Sequence, residues 1–256
     1  MKIAIAINSF KQEKDLFERE KFCLESLRKC KEKNNNVTLY NVINENDDIE
    51  FNGFETIKIK HDKKYPYVND ILNAISNTDN DLIVFLNNDI ILNNSFFKQL
   101  DGDVDVYPAS RGHLHGLKSF DDELKIQSYS VHGFDLFAFK KEWWVENKHH
   151  FPDMYLGKPY WDTVYFIKCV TNGNFKILNK QPPVIFHVEH DSVSCKTEDE
   201  YEQHNTLVAN NIPEMSKWWY YVQNVLLKRK TINDILWWKP FDNELQLELQ
   251  IFKNEN

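Results

Sequence analysis

The residues best suited to chemistry sit at the end of an apolar run. Asp81-Leu82-Ile83-Val84-Phe85-Leu86 leads into Asn87-Asn88-Asp89, and Ile90-Ile91-Leu92 follows. Consecutive large apolar residues read as a strand buried on both faces. A carboxylate at the end of such a strand is costly to bury unless something pairs with it. Mg2+ or Mn2+ is a natural partner, because both take hard carboxylate oxygens and are often held by one or two of them plus substrate phosphates. Asn-Asn-Asp is equally good turn chemistry. His187 directly follows the apolar Val184-Ile185-Phe186. It is a better ligand than His190, since positions three apart on an extended strand face opposite sides. His113-Leu114-His115 suggests a zinc pair, but no third ligand is placed to complete it. Of the four arginines, Arg111 alone reads as lying in a loop, beside Gly112. Its planar fork suits a phosphate or a sugar carboxylate.

The elements that position these residues follow from pattern. Lys2–Ile7 is β-rich and reads as a buried first strand. Residues 11–33 carry Leu16, Cys23, Leu24, Leu27 and Cys30 at helical spacing, and Asn34-Asn35-Asn36 ends that helix. Val37–Ile43 and Glu55–Ile59 read as strands, residues 67–76 as a helix, and residues 81–86 as the next strand. Strand, helix, strand, strand, helix, strand predicts an α/β sheet with parallel members. Right-handed crossovers place the functional loops at the carboxyl ends of those strands. Asn8-Ser9, Asn44 to Asp47 and Asn87-Asn88-Asp89 stand there. Farther on, Val104–Ala109, Phe134–Phe139, Phe175–Leu178 and Val184–His187 read as strands, and Ser110–Ser119 as a loop. Trp161–Asn172 reads as a helix ended by Gly173. The chain then looks helical over 198–211, 215–228 and 232–238. The simplest division is one domain over 1–195, with halves 1–92 and 93–195, and a helical C-terminal extension over 196–256 packed on it.

Composition bounds the function. The chain has 256 residues, 42% hydrophobic and 27% charged, as in globular proteins. A chain of this length buries roughly 70–75% of its unfolded surface and needs no disulfide or metal staple. Lys and Arg total 31 against 39 Asp and Glu, a net charge of -8, which argues against a nucleic-acid partner. Met1–Ile7 lacks the basic and long apolar regions of a signal peptide. No apolar run reaches membrane-spanning length. Cys23 and Cys30 share one helix and stand about 10 Å apart by rise alone, beyond the roughly 7 Å limit for a disulfide. No CxxC pair exists, and the expectation is a reducing, cytoplasmic compartment. Trp218-Trp219 and Trp237-Trp238 flank Lys228-Arg229-Lys230. Packing on the domain is the favoured reading, and peripheral contact with a membrane or partner the sharper one.

A buried strand ending in an acidic triplet resembles the metal-binding element of GT-A-fold glycosyltransferases, most closely the family 2-like inverting enzymes. Met1 to Phe10 looks like their first strand and nucleotide loop, and Tyr67-Val68-Asn69 through Ile75 like the helix before the metal strand. His132-Gly133 through Phe139 is similar to the glycine-led strand on the acceptor side. Tyr160-Trp161-Asp162 opens a helix where the family places its catalytic acid, and Phe186-His187 resembles the late strand that completes the metal site. The resemblance covers residues 1–195. It implies a mixed, mainly parallel sheet flanked by helices, and transfer from a nucleotide-sugar donor to a hydroxyl acceptor on a glycan, lipid-linked molecule or protein, with Mn2+ or Mg2+. Asp89 and His187 would hold the metal. Asn8, Ser9, Asn44, Asp47, Asn69, Asn87, Asn88 and Arg111 would bind the donor. His132, Gly133 and Trp161 would bind the acceptor. Asp162 would be the general base, with Asp153 and Asp135 as fallback acids; its structural alternative is an acid facing a helix dipole. The triplet departs from the family in keeping only its last acid. A sugar nucleotidyltransferase and a non-catalytic nucleotide or sugar binder are the rival readings. The first lacks a Gly-rich basic triphosphate loop near residue 10.

Overall fold

The computed structural model describes residues 1–9, 14–114, 126–178, 183–188 and 199–221. Strands β1 (Ile3–Asn8), β2 (Val37–Asn44), β3 (Glu55–Ile59) and β4 (Leu82–Leu86) alternate with helices α1 (Lys14–Lys33) and α2 (Val68–Ser76). Then come β5 (Ile90–Leu92), α3 (Ser95–Gln99), β6 (Val106–Leu114), β7 (Ile126–Lys140), α4 (Lys141–Asn147), α5 (Trp161–Asn172), β8 (Ile185–Val188), α6 (Glu200–Asn210) and α7 (Pro213–Tyr221). Among the described residues the strands form one sheet in the order β3-β2-β1-β4-β7-β6-β8-β5. The first four strands are mutually parallel. β7 runs antiparallel to both β4 and β6, and β8 runs parallel to β6 and antiparallel to β5.

Alternation along the central strands sorts the core onto two faces. Ile3, Ile5 and Ile7 of β1 join Leu82, Val84 and Leu86 of β4 beneath α1, with Cys23, Leu24 and Leu27. Ala4, Ala6, Ile83 and Phe85 face the other way, toward α2 and α5. This period of two on a doubly covered sheet explains why β4 reads as an unbroken apolar run. The second face is aromatic. Phe134 stacks on Phe166 at 3.8 Å, and Trp161 meets Phe85 and Phe137 edge-on, each at 5.8 Å. α5 is followed by Gly173, where the chain passes too close to its neighbours for a side chain: a Cβ there would lie 3.0 Å from the Trp143 ring and 3.2 Å from Val106.

Three expectations need correction. The segment from Ser110 is no loop; β6 continues through Leu114, and residues 115–119 lie outside the described residues. Register shifts against β7 around Ser110, Gly112 and Leu114 explain the loop-like look of Arg111-Gly112. β7 is far longer than residues 134–139, at 15 residues. Residues 175–178 form no named strand, although the amides of Lys176 and Leu178 donate to the carbonyls of Val106 and Pro108 at 3.0 and 2.9 Å. The thiols of Cys23, Cys30 and Cys169 are buried and free. Among the described residues no helix is long and apolar enough to cross a membrane.

The described part of the C-terminal region shares the aromatic core. Ala209, Ile212, Met215 and Trp218 all belong to it, and the Trp218 ring lies 5.1 Å from Phe166. The helices expected over 222–228 and 232–238, with Trp237 and Trp238, fall outside the described residues. Truncating a buried tryptophan removes its transfer energy and leaves a cavity, about 3–5 kcal/mol. Trp218→Ala is expected to lower the stability of the whole domain by that amount, as one denaturant transition at reduced midpoint and unchanged slope. A separate early transition would mean that this helix unfolds on its own.

Candidate active site

β1, β4, β6 and β7 bring their polar residues to one edge. At its centre Arg111 on β6 forms an ion pair with Asp135 on β7. The Asp135 carboxylate is buried, 3% exposed. Its other oxygen accepts from Asn87 Nδ2 at 2.8 Å, and Asn87 N–H donates to the Asp135 carbonyl at 3.2 Å. This explains the first amide of the triplet. A carboxylate at position 87 would face another carboxylate, whereas an amide donates to it.

Asn88 is explained in the same way. Its Nδ2 donates to Glu20 on α1 at 3.1 Å, and Ser9 Oγ donates to the same oxygen. Glu20 is 5% exposed, and burial raises its proton affinity while the Ser9 and Asn88 donors oppose that rise. Sequence reading missed this residue. Its signal was position: Glu20 lies three, four and seven residues before Cys23, Leu24 and Leu27, on the buried stripe of α1. Asn8 donates from Nδ2 to the Val42 carbonyl at 2.6 Å and is itself buried.

Asp89 points toward β8. Its Oδ2 stands 3.3 Å from His187 Nε2. His113 of β6 is in register with His187, and the rings meet edge-on at 5.7 Å. That pairing was not foreseen. His115 and His190 lie outside the described residues. Two ligands of one ion, each about 2.1 Å from it at right-angled to tetrahedral spacing, stand roughly 3.0–3.4 Å apart. Asp89 and His187 fit that separation. Among the described residues no group of three or more His, Cys, Asp or Glu could hold a metal. A cation at this pair would therefore take its remaining ligands from donor oxygens and water.

Asp162 stands in the first turn of α5. Its carboxylate accepts from Thr163 N–H at 2.8 Å and from Phe134 N–H at 3.4 Å. Burial first, and then the negative charge of Asp135, push its pKa up to about 6, while the two amides and Arg111 hold it from rising further. Burial opposes the charge on Arg111, and Asp135, Asp162 and Asp89 outweigh that opposition. Tyr160, just before α5, adopts left-handed backbone at φ 73, strained for a bulky residue.

The other candidates divide. Asn44 and Asp47 line a cleft of about 390 Å3 at the carboxyl ends of β2 and β3, with His61, Lys63 and Lys64. Asn69 is not in that cleft. Its Nδ2 donates to the Phe151 carbonyl and to Asp153, and its Oδ1 accepts from Tyr165, so the side chain ties α2 to α5 and to the chain at 151–153. Trp161 is not open to a sugar. It is 4% exposed, and its ring faces are taken by core aromatics. Arg111 is not a free loop cation but the partner of Asp135. His132 and Gly133 lie in β7, with side chains outside the described part.

No family model matches the sequence, and no curated protein does. Solved structures of TarS from S. aureus share the architecture across 91% of this chain and 77% of that one. Its complex with UDP-GlcNAc superposes at a TM-score of 0.58 with 12% identity. TarS alone gives 0.54 with 13%, and its UDP complex 0.52 with 12%. The chain has a GT-A-like fold. At such identity the likeness establishes fold and nothing finer.

The ion pair between half-buried Arg111 and buried Asp135 predicts a coupling energy. Removing one partner strands the other charge, which costs about 3–5 kcal/mol, while replacing both by apolar groups costs far less. Arg111→Met is expected to destabilise strongly, and Arg111→Met with Asp135→Leu to recover most of the loss in chemical denaturation. Additive effects would show that the pair is not a unit.

Proposed function

We propose that this chain is a glycosyltransferase that moves a sugar from a nucleotide-sugar donor to a hydroxyl acceptor, with inversion and with help from a divalent cation. One observation carries the reading. In a GT-A-like sheet, one acid is held against a histidine and a second acid has a pKa near neutrality, on strands and helices converging on one arginine. General bases work best with a pKa close to the working pH. That TarS is seen with UDP-GlcNAc and with UDP supports a nucleoside diphosphate sugar as the donor class.

In this reading Asp162 accepts the proton of the acceptor hydroxyl as that oxygen attacks the anomeric carbon. The bond from that carbon to the diphosphate oxygen breaks, and its electron pair leaves with the diphosphate. The nucleoside occupies the cleft of Asn44 and Asp47, which is lined by polar and charged residues. The side chains of Asn8 and Ser9 at the end of β1 are buried and held by Val42 and Glu20, so they shape this end of the site from beneath. A donor diphosphate entering here meets three carboxylates and one guanidinium, an unfavourable charge balance. Asp89 and His187 would hold a Mn2+ or Mg2+ ion, whose chemistry would be to offset the charge of the departing phosphate. The imidazole favours Mn2+ over Mg2+.

A second reading has its own support. The Asn87 and Asn88 side-chain nitrogens are already engaged by Asp135 and Glu20, as in a protein that binds nucleotide or sugar without transfer. Donor turnover separates the two. A thermal-shift series of nucleoside diphosphates and their sugars, with and without Mn2+, is expected to show metal-dependent stabilisation that Asp89→Ala abolishes. Transfer should then be found with the best donor. Binding without transfer across the panel would favour the binder, and pyrophosphate release would favour a nucleotidyltransferase.

The base has a pH signature. Asp162 must be ionised to act, so kcat/KM is expected to fall about tenfold per pH unit below an inflection near 6. Asp162→Asn should lower kcat by about 100- to 10,000-fold. Normal transfer by that variant would move the base to another residue.

A further inference from the structure

We infer that Asn205 on α6 is a positioning residue, which holds the 155–160 loop so that the N-terminal turn of α5 presents Asp162 in one place. The inference rests on the reading of Asp162 as the base. Nothing in the expected division at residue 196 points to it, because α6 lies beyond the catalytic region as the sequence suggests it.

Asn205 is fully buried, at 0% exposure. Its Oδ1 accepts from Tyr155 N–H at 2.8 Å, and its Nδ2 donates to the carbonyls of Tyr155 at 2.9 Å and Pro159 at 3.1 Å. One amide therefore uses both of its N–H bonds and its oxygen on loop backbone. The first contact copies strand pairing with Tyr155. The second fixes the residue before strained Tyr160, and Asp162 follows two residues later. A bulky side chain in left-handed backbone is strained and persists only where its surroundings enforce it.

Asp199 and Tyr201 at the start of the same helix reach Lys158 in this loop, and His204 reaches Asp153 just before it. Lys158 pairs with Asp199, which also caps α6 by accepting from the amides of Tyr201 and Glu202. The Lys158 ammonium lies 4.8 Å from the Tyr65 ring and 5.8 Å from Tyr201. His204 Nε2 is 2.9 Å from the Asp153 carbonyl. The composition of α6 argues against mere packing. Its buried residues are Asn205 and Ala209, so the helix contributes little apolar area. Its most deeply set side chain is an amide spent on loop backbone, which gives direction rather than hydrophobic stability.

The groups around Asp162 define the readout. Asp135 faces it from β7, Arg111 from β6, Phe134 N–H from β7 and Thr163 N–H from its own helix. A slack loop admits water to that turn, and burial is the largest cause of the raised pKa. The titration of Asp162 is measured by 13C NMR of aspartate-labelled protein, with Asp162→Asn to assign the signal. It is compared in Asn205→Ala and Lys158→Met, the latter keeping most of the stem while removing the charge. Both variants, folded by circular dichroism, are expected to titrate about one unit lower than the wild type. With the best donor, kcat should fall about tenfold while donor KM stays within about twofold. An unmoved titration in the folded variants overturns the inference, and so does a raised donor KM at unchanged kcat. If Asn205→Ala does not fold, Lys158→Met decides. If the titration moves in both variants while the wild type transfers no sugar, the clamp stands and the transferase reading falls.

Discussion

A single half-buried guanidinium organises this molecule. Arg111 sits within electrostatic reach of Asp135, Asp162 and Asp89, and it balances only one of them. Charges out of water must be paired or neutralised. Asp135 takes the direct contact and fills its other oxygen with Asn87. Asp89 turns to His187. Asp162 is left with two amides and a share of the field, so its proton affinity rises. Three identical side chains acquire three chemical characters from one shortage of positive charge. The same shortage makes an arriving diphosphate depend on added cation.

The sheet exists to bring those groups together. β4 ends where β7 passes, so Leu86 pairs with Leu136 and Asn87 meets Asp135. β6 carries Arg111 and His113 on the far side of β7, and its register shifts set them apart from a regular pleat. β8 returns beside β6 to set His187 against both His113 and Asp89. The face beneath α1 is largely aliphatic and includes one buried acid, Glu20, that ties Ser9 to Asn88. The opposite face is aromatic, and α5, α6 and α7 close it. Residues 199–221 therefore contribute to the core of the sheet's aromatic face, and α6 joins the loop ahead of Asp162.

Much of the first half was legible along the chain. β3 falls at its expected bounds, and β1, β2, β4 and α2 within a residue of theirs, because hydrophobic period and end signals are local; in the second half α5 does so too. The second half was harder. Arg111 and Gly112 look like loop residues, and only pairing with β7 and β8 makes them strand. Trp161 looked available because tryptophan suits sugars, but the same large apolar ring fills a core equally well. Asn69 entered as a donor ligand through the family resemblance of its helix, and three protein partners consume it. Glu20 and Asn205 were invisible as polar anchors, since a charged or amide residue on a helix is most often a solvated one.

The sequence alone determined the alternating framework, the strand ends where polar residues would gather, and the identity of the acids and histidine that could act. These depend on neighbours a few positions apart, which spacing records. Tertiary structure alone decided which acid pairs with arginine, which with histidine, and which is left with a raised pKa. It also decided why two asparagines stand where acids were expected: Asp135 and Glu20, 48 and 68 residues away, already bring the negative charge. Electrostatic roles follow from distance in space and from burial, and neither is written in the order of residues.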